Sequence, residues 1–299
     1  MAGAVPRIGT GHLDLELADP DWPERLDAAL ADAGTGLALW IVSPSSADTS
    51  ALAELRRRLA AAARQGAPLR FVGIADDARH VTTPELAAAL RSALPEGLPV
   101  AAGARSHFTE LIREWDTVLA AEPEALAFAT TPLFHTLETE QLVEAIAMQR
   151  LLAEQLTARA PDLPVHVGPI TLRPRFANVA TRPQPVPAPA PPVDPRAGTA
   201  LHEARTIASA AALAVPGVAS LTYEQVPDAL AALGRADRPL PTEPAEDSLV
   251  TARSADGLIW AINDGTTLLL VSLSDRCRHV LVPGRPAPVA LEPAAWTAL

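Results

Sequence analysis

The sequence predicts an α/β protein: an incomplete (β/α)8-type barrel followed by a small C-terminal antiparallel β domain. Short runs rich in Val, Ile and Leu alternate with longer Ala/Leu-rich stretches of helical period, a pattern typical of parallel strands covered by helices. Seven such strands can be recognised, whereas a complete barrel of this type has eight. From residue 247 onward the helical stretches disappear, and short apolar runs separated by turn signals take their place.

The seven strands and the helices between them are predicted in strict alternation. Helix starts are marked by Asp or Thr beside an early proline, as in Asp19-Pro20-Asp21 and Thr83-Pro84-Glu85, because such side chains cap free amides and proline suits the first turn. The strands are predicted at residues 12–17, 37–42, 69–75, 98–103, 126–131, 165–172 and 219–223. The helices are predicted from about residue 19, at 49–64, from about residue 83, and at 109–120, 138–158 and 199–213.

A proline-rich run, PQPVPAPAPPVDP at residues 183–195, separates the sixth strand from the helix before the seventh. Such a run favours extended polyproline geometry. Because the strand–helix alternation resumes after it, we interpret it as a long loop over the C-terminal ends of the strands. An interdomain linker is the alternative. We further expect Asp194 to contact Arg173, Arg175 or Arg196.

The chain is predicted to divide into a barrel domain at residues 1–240 and a β domain at 247–299. Strands of the β domain are predicted at 249–253, 257–262, 267–272 and 279–282, with Asp-Gly turns between them. The missing eighth barrel strand leaves two possibilities, because closure requires a consistent strand number and stagger. Either the N-terminal segment RIGTG at residues 7–11 fills the gap, or the sheet stays open.

Composition excludes several classes of function. The formal net charge is -11, and all 24 basic residues are arginine, so the sequence argues against nucleic acid or an anionic membrane as partner. The single cysteine, Cys277, excludes an internal disulfide and fits a reducing compartment. No metal-ligand spacing, signal peptide or membrane span is found, so we expect a soluble cytoplasmic protein without a cofactor. The oligomeric state is left open.

Five segments resemble the D-apionate lactonase family, in the same order along about residues 5–225. Residues 103–111 (GARSHFTEL) resemble its GGGT-x-x-x-FTELNR stretch, 165–176 (VHVGPITLRPRF) its VH-x-x-PVTLRPRFN stretch, and 193–196 (VDPR) its VDPRQ. Residues 131–135 (TPLFH) and 220–223 (SLTY) stand where the family has NPQVHAFD and SVTYYE. The resemblance implies a TIM barrel related to glycoside hydrolases that opens a sugar-acid lactone.

The sequence also departs from this family, as a divergent and truncated member would. The glycines of its GGGT motif are partly replaced by alanine, and a first strand and helix are missing. The last Glu of its TYYE motif aligns with Gln225, and Glu224 stands one position earlier. A shift of one residue in a strand turns a side chain to the other face of the sheet.

Lactone hydrolysis needs an activated water, a group that stabilises the oxyanion, and donors that hold the polyol. In this fold such groups lie at the C-terminal ends of strands. We expect His135 or Glu224 to activate water, with Glu110 as a further catalytic candidate, although Glu110 also suits a helix cap. Arg173 or Arg175 would hold the developing charge. The substrate-binding candidates are Arg105, His107, Arg173, Arg175, Asp194, Arg196 and Tyr223.

Other polar residues are assigned structural or solvent-exposed roles. These are His12, His166 and His202 within secondary structure, Asp76 and Asp77 in a solvated loop, and His80 without a matched role.

Three functions remain open from the sequence. The first is a hydrolase of a sugar-acid lactone, with that small molecule as its partner. The second is a degenerate, non-catalytic relative that binds carbohydrate or protein. The third is a retaining glycosidase using Glu110 and Glu224, which requires carboxyl groups about 5 Å apart. Convergence of His135, Arg173 and Glu224 in one pocket would favour an enzyme.

Overall fold

The structure is a computed structural model of the 299-residue chain. It describes residues 7–8, 11–32, 36–44, 49–134, 136–176, 193–223, 229, 232–233, 250–263 and 267–299.

Strands and helices alternate up to residue 223, as the sequence predicts. The helices are α1 Trp22–Ala31, α2 Thr49–Arg64, α3 Pro84–Ala93, α4 Phe108–Arg113, α5 Trp115–Ala120, α6 Thr139–Arg159 and α7 Ala200–Leu213. The strands of this part are β1 Arg7–Ile8, β2 Gly11–Glu16, β3 Leu37–Ser43, β4 Leu69–Asp76, β5 Val100–Ala104, β6 Ala125–Thr130, β7 Val165–Ile170 and β8 Val218–Tyr223. The C-terminal strands are β9 Val250–Arg253, β10 Ile259–Asn263, β11 Leu268–Ser272, β12 Arg278–Val280, β13 Val289–Leu291 and β14 Trp296–Ala298.

One curved parallel sheet forms the body of the molecule. Its strand order is β1-β8-β7-β6-β5-β4-β3-β2, and all its neighbouring pairs run parallel. The seven strands predicted from the sequence correspond to β2–β8. The predicted incomplete, TIM-type barrel is thus confirmed, with a separate small antiparallel sheet at the C-terminus.

The N-terminal segment joins the two edges of this sheet. Arg7 and Ile8 pair with Ser220 and Leu221 of β8 at one edge, while β2 pairs with β3 at the other. Ile8 and Gly11 are three residues apart, and an extended chain covers at most about 3.6 Å per residue, so they lie within about 11 Å of each other. The sheet must therefore curl until its edges approach, but β1 and β2 are not neighbours in the strand order, so among the described strands the sheet stays open.

The interior of the curled sheet is filled by a few large side chains set among small ones. Trp40 is fully buried and lies at a ring-centroid distance of 6.1 Å from Phe71, which lies 4.7 Å from the ring of His166. The surrounding strand positions carry alanine or glycine. Gly73 pairs with Trp40 in the β3–β4 register, and a Cβ atom placed there would lie only 2.8 Å from the indole ring.

The single helix predicted at 109–120 is wrong: the structure has two short helices, α4 and α5. The backbone leaves helical geometry at Glu114, with φ -100° and ψ 20°. The Glu114 carboxylate is held there by Arg79, from the segment after β4, and by Thr117.

The C-terminal unit packs on the outer face of α7. Its four-stranded antiparallel sheet has the order β14-β11-β10-β9, and β12 and β13 form a separate hairpin. Trp260, Ile262 and Val271 share one hydrophobic core with α7 and the parallel sheet. The sequence predicted four strands here, which correspond to β9–β12, and it did not predict β13 and β14. The boundary predicted at 241–246 lies outside the described residues.

The close fit of Trp40 on Gly73 predicts that Gly73→Ala destabilises the protein. The added methyl group would force apart two buried strands, and such overpacking costs about 1–3 kcal/mol. Each kcal/mol lowers Tm by roughly 2–4 °C in a protein of this size. The matched control is Gly11→Ala, whose Cβ would meet its nearest neighbour at 3.5 Å, an ordinary contact. Thermal unfolding by circular dichroism checks both, and an equal Tm for the two variants contradicts the prediction.

Candidate functional site

A cluster of polar side chains lies where several segments meet near the C-terminal ends of the parallel strands. At its centre is Asp14 of β2. Its Oδ2 accepts hydrogen bonds from Arg105 Nη1 at 3.0 Å and from Arg175 Nη2, and its Oδ1 accepts one from His12 Nε2 at 3.0 Å. Since an ionised carboxylate only accepts hydrogen bonds, the proton of neutral His12 must be on Nε2. We call Asp14, His12, Arg105 and Arg175 the Asp14 cluster.

The Asp14 cluster depends on the curvature of the sheet. Arg105 follows β5 and Arg175 follows β7, which are three and five strands away from β2 in the strand order. In a flat sheet with strands about 4.8 Å apart, these separations would be about 14 Å and 24 Å. Only because the sheet curls do both guanidinium groups reach one carboxylate.

His80 and Phe176 pack against the two arginines. The Nδ1 of His80 accepts a hydrogen bond from Arg105 Nε at 3.3 Å, which requires the imidazole proton to be on Nε2. The ring of Phe176 stacks on His80 at 4.3 Å and lies 4.7 Å from the guanidinium carbon of Arg105 and 5.3 Å from that of Arg175. His80 has φ 59°, an uncommon conformation for a residue other than glycine, and its carbonyl accepts the Arg105 amide at 3.0 Å. These contacts restrict the orientation of both guanidinium groups.

The electrostatics of the cluster follow from these contacts. Burial alone would raise the pKa of Asp14, but the hydrogen bond from His12 and the charges of Arg175 and Arg105 hold it well below its usual value. Burial lowers the pKa of His12, and burial together with the charge of Arg105 lowers the pKa of His80 to about 4. Near pH 7 the cluster therefore contains one carboxylate, two guanidinium groups and the neutral imidazole of His12. The adjacent imidazole of His80 is also neutral.

Several buried polar atoms around this cluster have no hydrogen-bond partner within the described residues. They include His12 Nδ1, Arg175 Nη1, Ser106 Oγ and Trp40 Nε1. Buried donors and acceptors are nearly always paired in folded proteins, and an unpaired one costs about 1–3 kcal/mol. The unpaired atoms of His12 and Arg175 are positions where a ligand or water can complete the hydrogen bonding.

A second carboxylate, Asp194, also holds two arginines. Arg196 donates two side-chain hydrogen bonds to it, at 2.8 and 2.9 Å, and Arg173 Nε donates at 3.0 Å. The expected contact of Asp194 with an arginine is thus confirmed. Its side chain is 1% exposed, and hydrogen bonding by Arg196 holds its pKa well below the usual value although burial opposes this shift. Arg196 also donates to Thr139 at the start of α6, and its carbonyl oxygen accepts from Thr199, which caps α7, so these contacts tie the segment after β7 to both helices.

His107 contacts the backbone of Phe176, and Glu110 lies three residues later on α4. His107 Nε2 lies 3.3 Å from the carbonyl oxygen of Phe176 and donates to it, and its ring meets Phe134 edge-on at 4.7 Å. Glu110 accepts hydrogen bonds from Thr109 at 2.9 Å and from Arg113 at 3.2 Å. A cavity of about 180 Å³ opens beside His107 and Phe134, between α4 and β6.

Tyr223 faces away from the Asp14 cluster. Its hydroxyl donates to Ser209 of α7 at 3.0 Å, and Ser209 donates to Gln149 of α6 at 2.7 Å. Burial raises the pKa of Tyr223, so this phenol stays neutral. The expectation that Tyr223 contacts substrate does not fit this position, because its side chain lies between the sheet and the helices.

Three expected features fall outside the described residues: His135, Glu224 and most of the proline-rich run. The described candidates form two groups and a solitary residue. Arg105 and Arg175 meet at Asp14. His107 contacts the carbonyl oxygen of Phe176, and Glu110 follows it on α4. Arg173, Asp194 and Arg196 form the second ion-pair group, and Tyr223 stands apart.

Sequence reasoning missed Asp14, His12, His80 and Phe176 as members of a site. A signal for two of them was present: in a strand, side chains two positions apart point to the same face, so His12 and Asp14 form a polar pair on one face of β2.

The solvated role expected for Asp76 is wrong. It is buried, and its carboxylate accepts the backbone amides of Ala78 and Arg79 at 3.0 and 2.7 Å. His166 is structural, as expected, and bonds Ser220 at 2.7 Å.

Among the described residues, no group of three His, Cys, Asp or Glu side chains is arranged to hold a metal ion. The described helices include none with the length and apolar character needed to span a bilayer.

Comparison with known proteins gives one family. The family described as "D-apionate lactonase, TIM barrel domain" matches residues 2–253. Among solved structures, dihydropteroate synthase from Thermus thermophilus in complex with 6HMPPP matches with 16% identity and a TM-score of 0.38, over 78% of this chain and 94% of that one. Mycobacterium tuberculosis Rv1207 matches with 15% identity and a TM-score of 0.34, over 81% and 97%. No curated protein matches the chain.

The buried histidines predict a loss of stability on mild acidification. Burial lowers the pKa of His80, His166 and His202 to about 4, below the value of 6.5 expected in the unfolded chain. The unfolded state therefore binds more protons than the native state between pH 6.5 and 4, and stability falls across this window. Protonation of Asp14 and Asp194 lowers the free energy of unfolding further only below about pH 4, because aspartate in the unfolded chain titrates there.

Thermal unfolding measured from pH 7.5 to 4.5 at constant ionic strength checks this prediction. His202→Asn should show a weaker pH dependence than the wild type, because asparagine does not titrate. His279→Asn, at an exposed position of the C-terminal unit, is the matched control and should follow the wild type. A Tm that does not fall between pH 6.5 and 4.5 would contradict the prediction.

Proposed function

The chain belongs to the D-apionate lactonase family, and on that premise we propose that it hydrolyses a sugar-acid lactone at the Asp14 cluster. The observation that carries the proposal is the convergence of two guanidinium groups at the C-terminal strand ends, where this fold places its active sites. The side chains of Asp14 and Arg175 are 16% and 24% exposed, so part of each remains in contact with solvent. The substrate and the catalytic residues are both part of the proposal.

The chemistry of lactone opening suits this arrangement. Water attacks the carbonyl carbon, and the carbonyl oxygen becomes an oxyanion in the tetrahedral intermediate. The ring C–O bond then breaks, and the ring oxygen takes a proton to give a hydroxy acid. Arg175 and Arg105 would stabilise the oxyanion, because a guanidinium group presents several donors in a fixed plane and stays charged at all relevant pH values. Arg175 Nη1, which has no acceptor within the described residues, is the donor best suited to it.

The remaining candidate residues take supporting roles in the proposal. His135, after β6, is proposed to accept the proton of the attacking water, and Glu224, after β8, is the alternative base. His107 and Glu110 would hold hydroxyl groups of the substrate. Asp194, Arg173 and Arg196 are proposed to fix the segment that carries Arg175, since their groups are engaged with one another and Asp194 is fully buried.

The proposal predicts that the purified protein opens a five-membered sugar lactone and that this activity depends on a general base. His135→Ala should lower kcat by about 10²- to 10⁴-fold, the usual contribution of such a group. Glu224→Gln should do so instead if Glu224 is the base. The release of acid, followed with a pH indicator, measures the rate. A variant Tm within a few degrees of the wild type excludes loss of folding as the cause.

His279→Ala, which changes an exposed histidine of the C-terminal unit, should retain wild-type kcat. Full activity in both the His135 and the Glu224 variants would contradict the assignment of the base. Wild-type protein that opens no lactone but binds a sugar acid in calorimetry would favour the non-catalytic relative.

A second prediction concerns the oxyanion donor. Arg175→Lys keeps the positive charge but loses the planar fork of donors, so kcat/KM should fall by about 10²-fold, as when one oxyanion donor is removed. The matched control is Arg58→Lys on α2, where the guanidinium also contacts carboxylates but lies in the outer helical layer. Steady-state kinetics of both variants on the same lactone test the prediction. Equal values of kcat/KM for Arg175→Lys and the wild type would remove Arg175 from the proposed mechanism.

A further inference from the structure

We infer that Asp14 is a positioning residue, whose carboxylate orients the guanidinium groups of Arg105 and Arg175 toward the reacting lactone carbonyl. The inference rests on the proposed function and assigns a role that neither the family match nor the sequence motifs provide. Asp14 belongs to β2, outside the segments that resemble the family motifs.

The geometry separates Asp14 from the other acidic residues of the region. Its Oδ2 lies between the two arginines and accepts a hydrogen bond from each, while its Oδ1 accepts from His12. All three partners are donors, so the carboxylate remains ionised and is unsuited to abstract a proton from water. Its chemistry is therefore that of a fixed anion that aligns cations.

The two arginines depend on this anion for their alignment. Arg105 is held by Asp14 Oδ2, by His80 Nδ1 and by the face of Phe176, so its guanidinium group is fixed on several sides. For Arg175, the hydrogen bond to Asp14 and the contact with Phe176 are the interactions seen within the described residues. Loss of Asp14 should therefore release Arg175 more than Arg105.

A purely structural role for Asp14 predicts different kinetics from a positioning role. A structural residue affects the amount of folded protein and its Tm, while each folded molecule keeps its kcat. A positioning residue affects kcat, because misaligned donors stabilise the transition state less, and leaves KM nearly unchanged. The two roles are thus separated by kinetics on correctly folded protein.

Chemical rescue provides the decisive test. Asp14→Ala removes the carboxylate and leaves room beside both guanidinium groups, and should lower kcat by about 10²- to 10³-fold. Sodium formate, a free carboxylate, should raise kcat of this variant at least about tenfold in a saturable manner and also raise its Tm by binding the folded state. Formamide, which has the same shape without the charge, and sodium chloride at equal ionic strength should do neither. The wild type should not respond to formate.

Two further variants complete the experiment. Asp14→Asn keeps the volume of the side chain, so it tests the loss of kcat even if Asp14→Ala does not fold, and formate should not rescue it. Asp27→Ala is the matched control, because Asp27 contacts the guanidinium of Arg58 in the helical layer. This variant should keep wild-type kcat with or without formate.

Three results overturn the inference alone: wild-type kcat in Asp14→Ala, wild-type kcat in Asp14→Asn, or formate that raises the Tm of Asp14→Ala without raising its kcat. Wild-type protein that opens no lactone overturns the proposed function itself, together with the inference. The failure of the positioning role is therefore distinguishable from the failure of the lactonase proposal.

Discussion

Two guanidinium groups meet at one carboxylate in this protein, and that ion triplet imposes the strongest constraint on the site. Two like charges 4 Å apart repel by about 4 kcal/mol at an effective dielectric constant of 20. Arg105 and Arg175 can both approach the same point because the ionised Asp14 lies between them. The aromatic face of Phe176 and the neutral imidazole of His80 pack against the same groups without adding charge.

The position of Asp14 in the chain links this triplet to the closure of the sheet. β2 lies at one edge, and the residues just before it pair with β8 at the other edge. The same N-terminal part of the chain therefore supplies both edge strands of the curled sheet and the Asp14 carboxylate. The interior accommodates this tight curvature by alternating large and small residues, and Trp40 packed on Gly73 is the clearest case.

The sequence was sufficient for the order of strands and helices but not for the contacts between them. Apolar runs bounded by turn residues located β3–β8, because burial on both faces of a parallel sheet leaves a continuous apolar signal. The break at Glu114 was missed, because it coincides with an ion pair to Arg79, distant in sequence. Asp14 was missed for a similar reason: its partners follow β5 and β7, and no local pattern reveals which strands a curled sheet brings together. The outward orientation of Tyr223 depends on the local register of β8, which motif alignment does not determine.

The two arginine–aspartate groups differ in how completely the hydrogen-bonding capacity of their members is used. Asp194 has 1% of its side chain exposed, and Arg196 binds it through Nε, Nη2 and the backbone amide. Such a group has no capacity left for a ligand, and its effect is to fix the chain between β7 and α7. Asp14 and Arg175 retain 16% and 24% exposure, and Arg175 Nη1 lacks an acceptor within the described residues. The same pair of residue types thus anchors a segment in one place and, in the other, leaves a guanidinium nitrogen without an acceptor within the described residues, where we propose that a substrate binds.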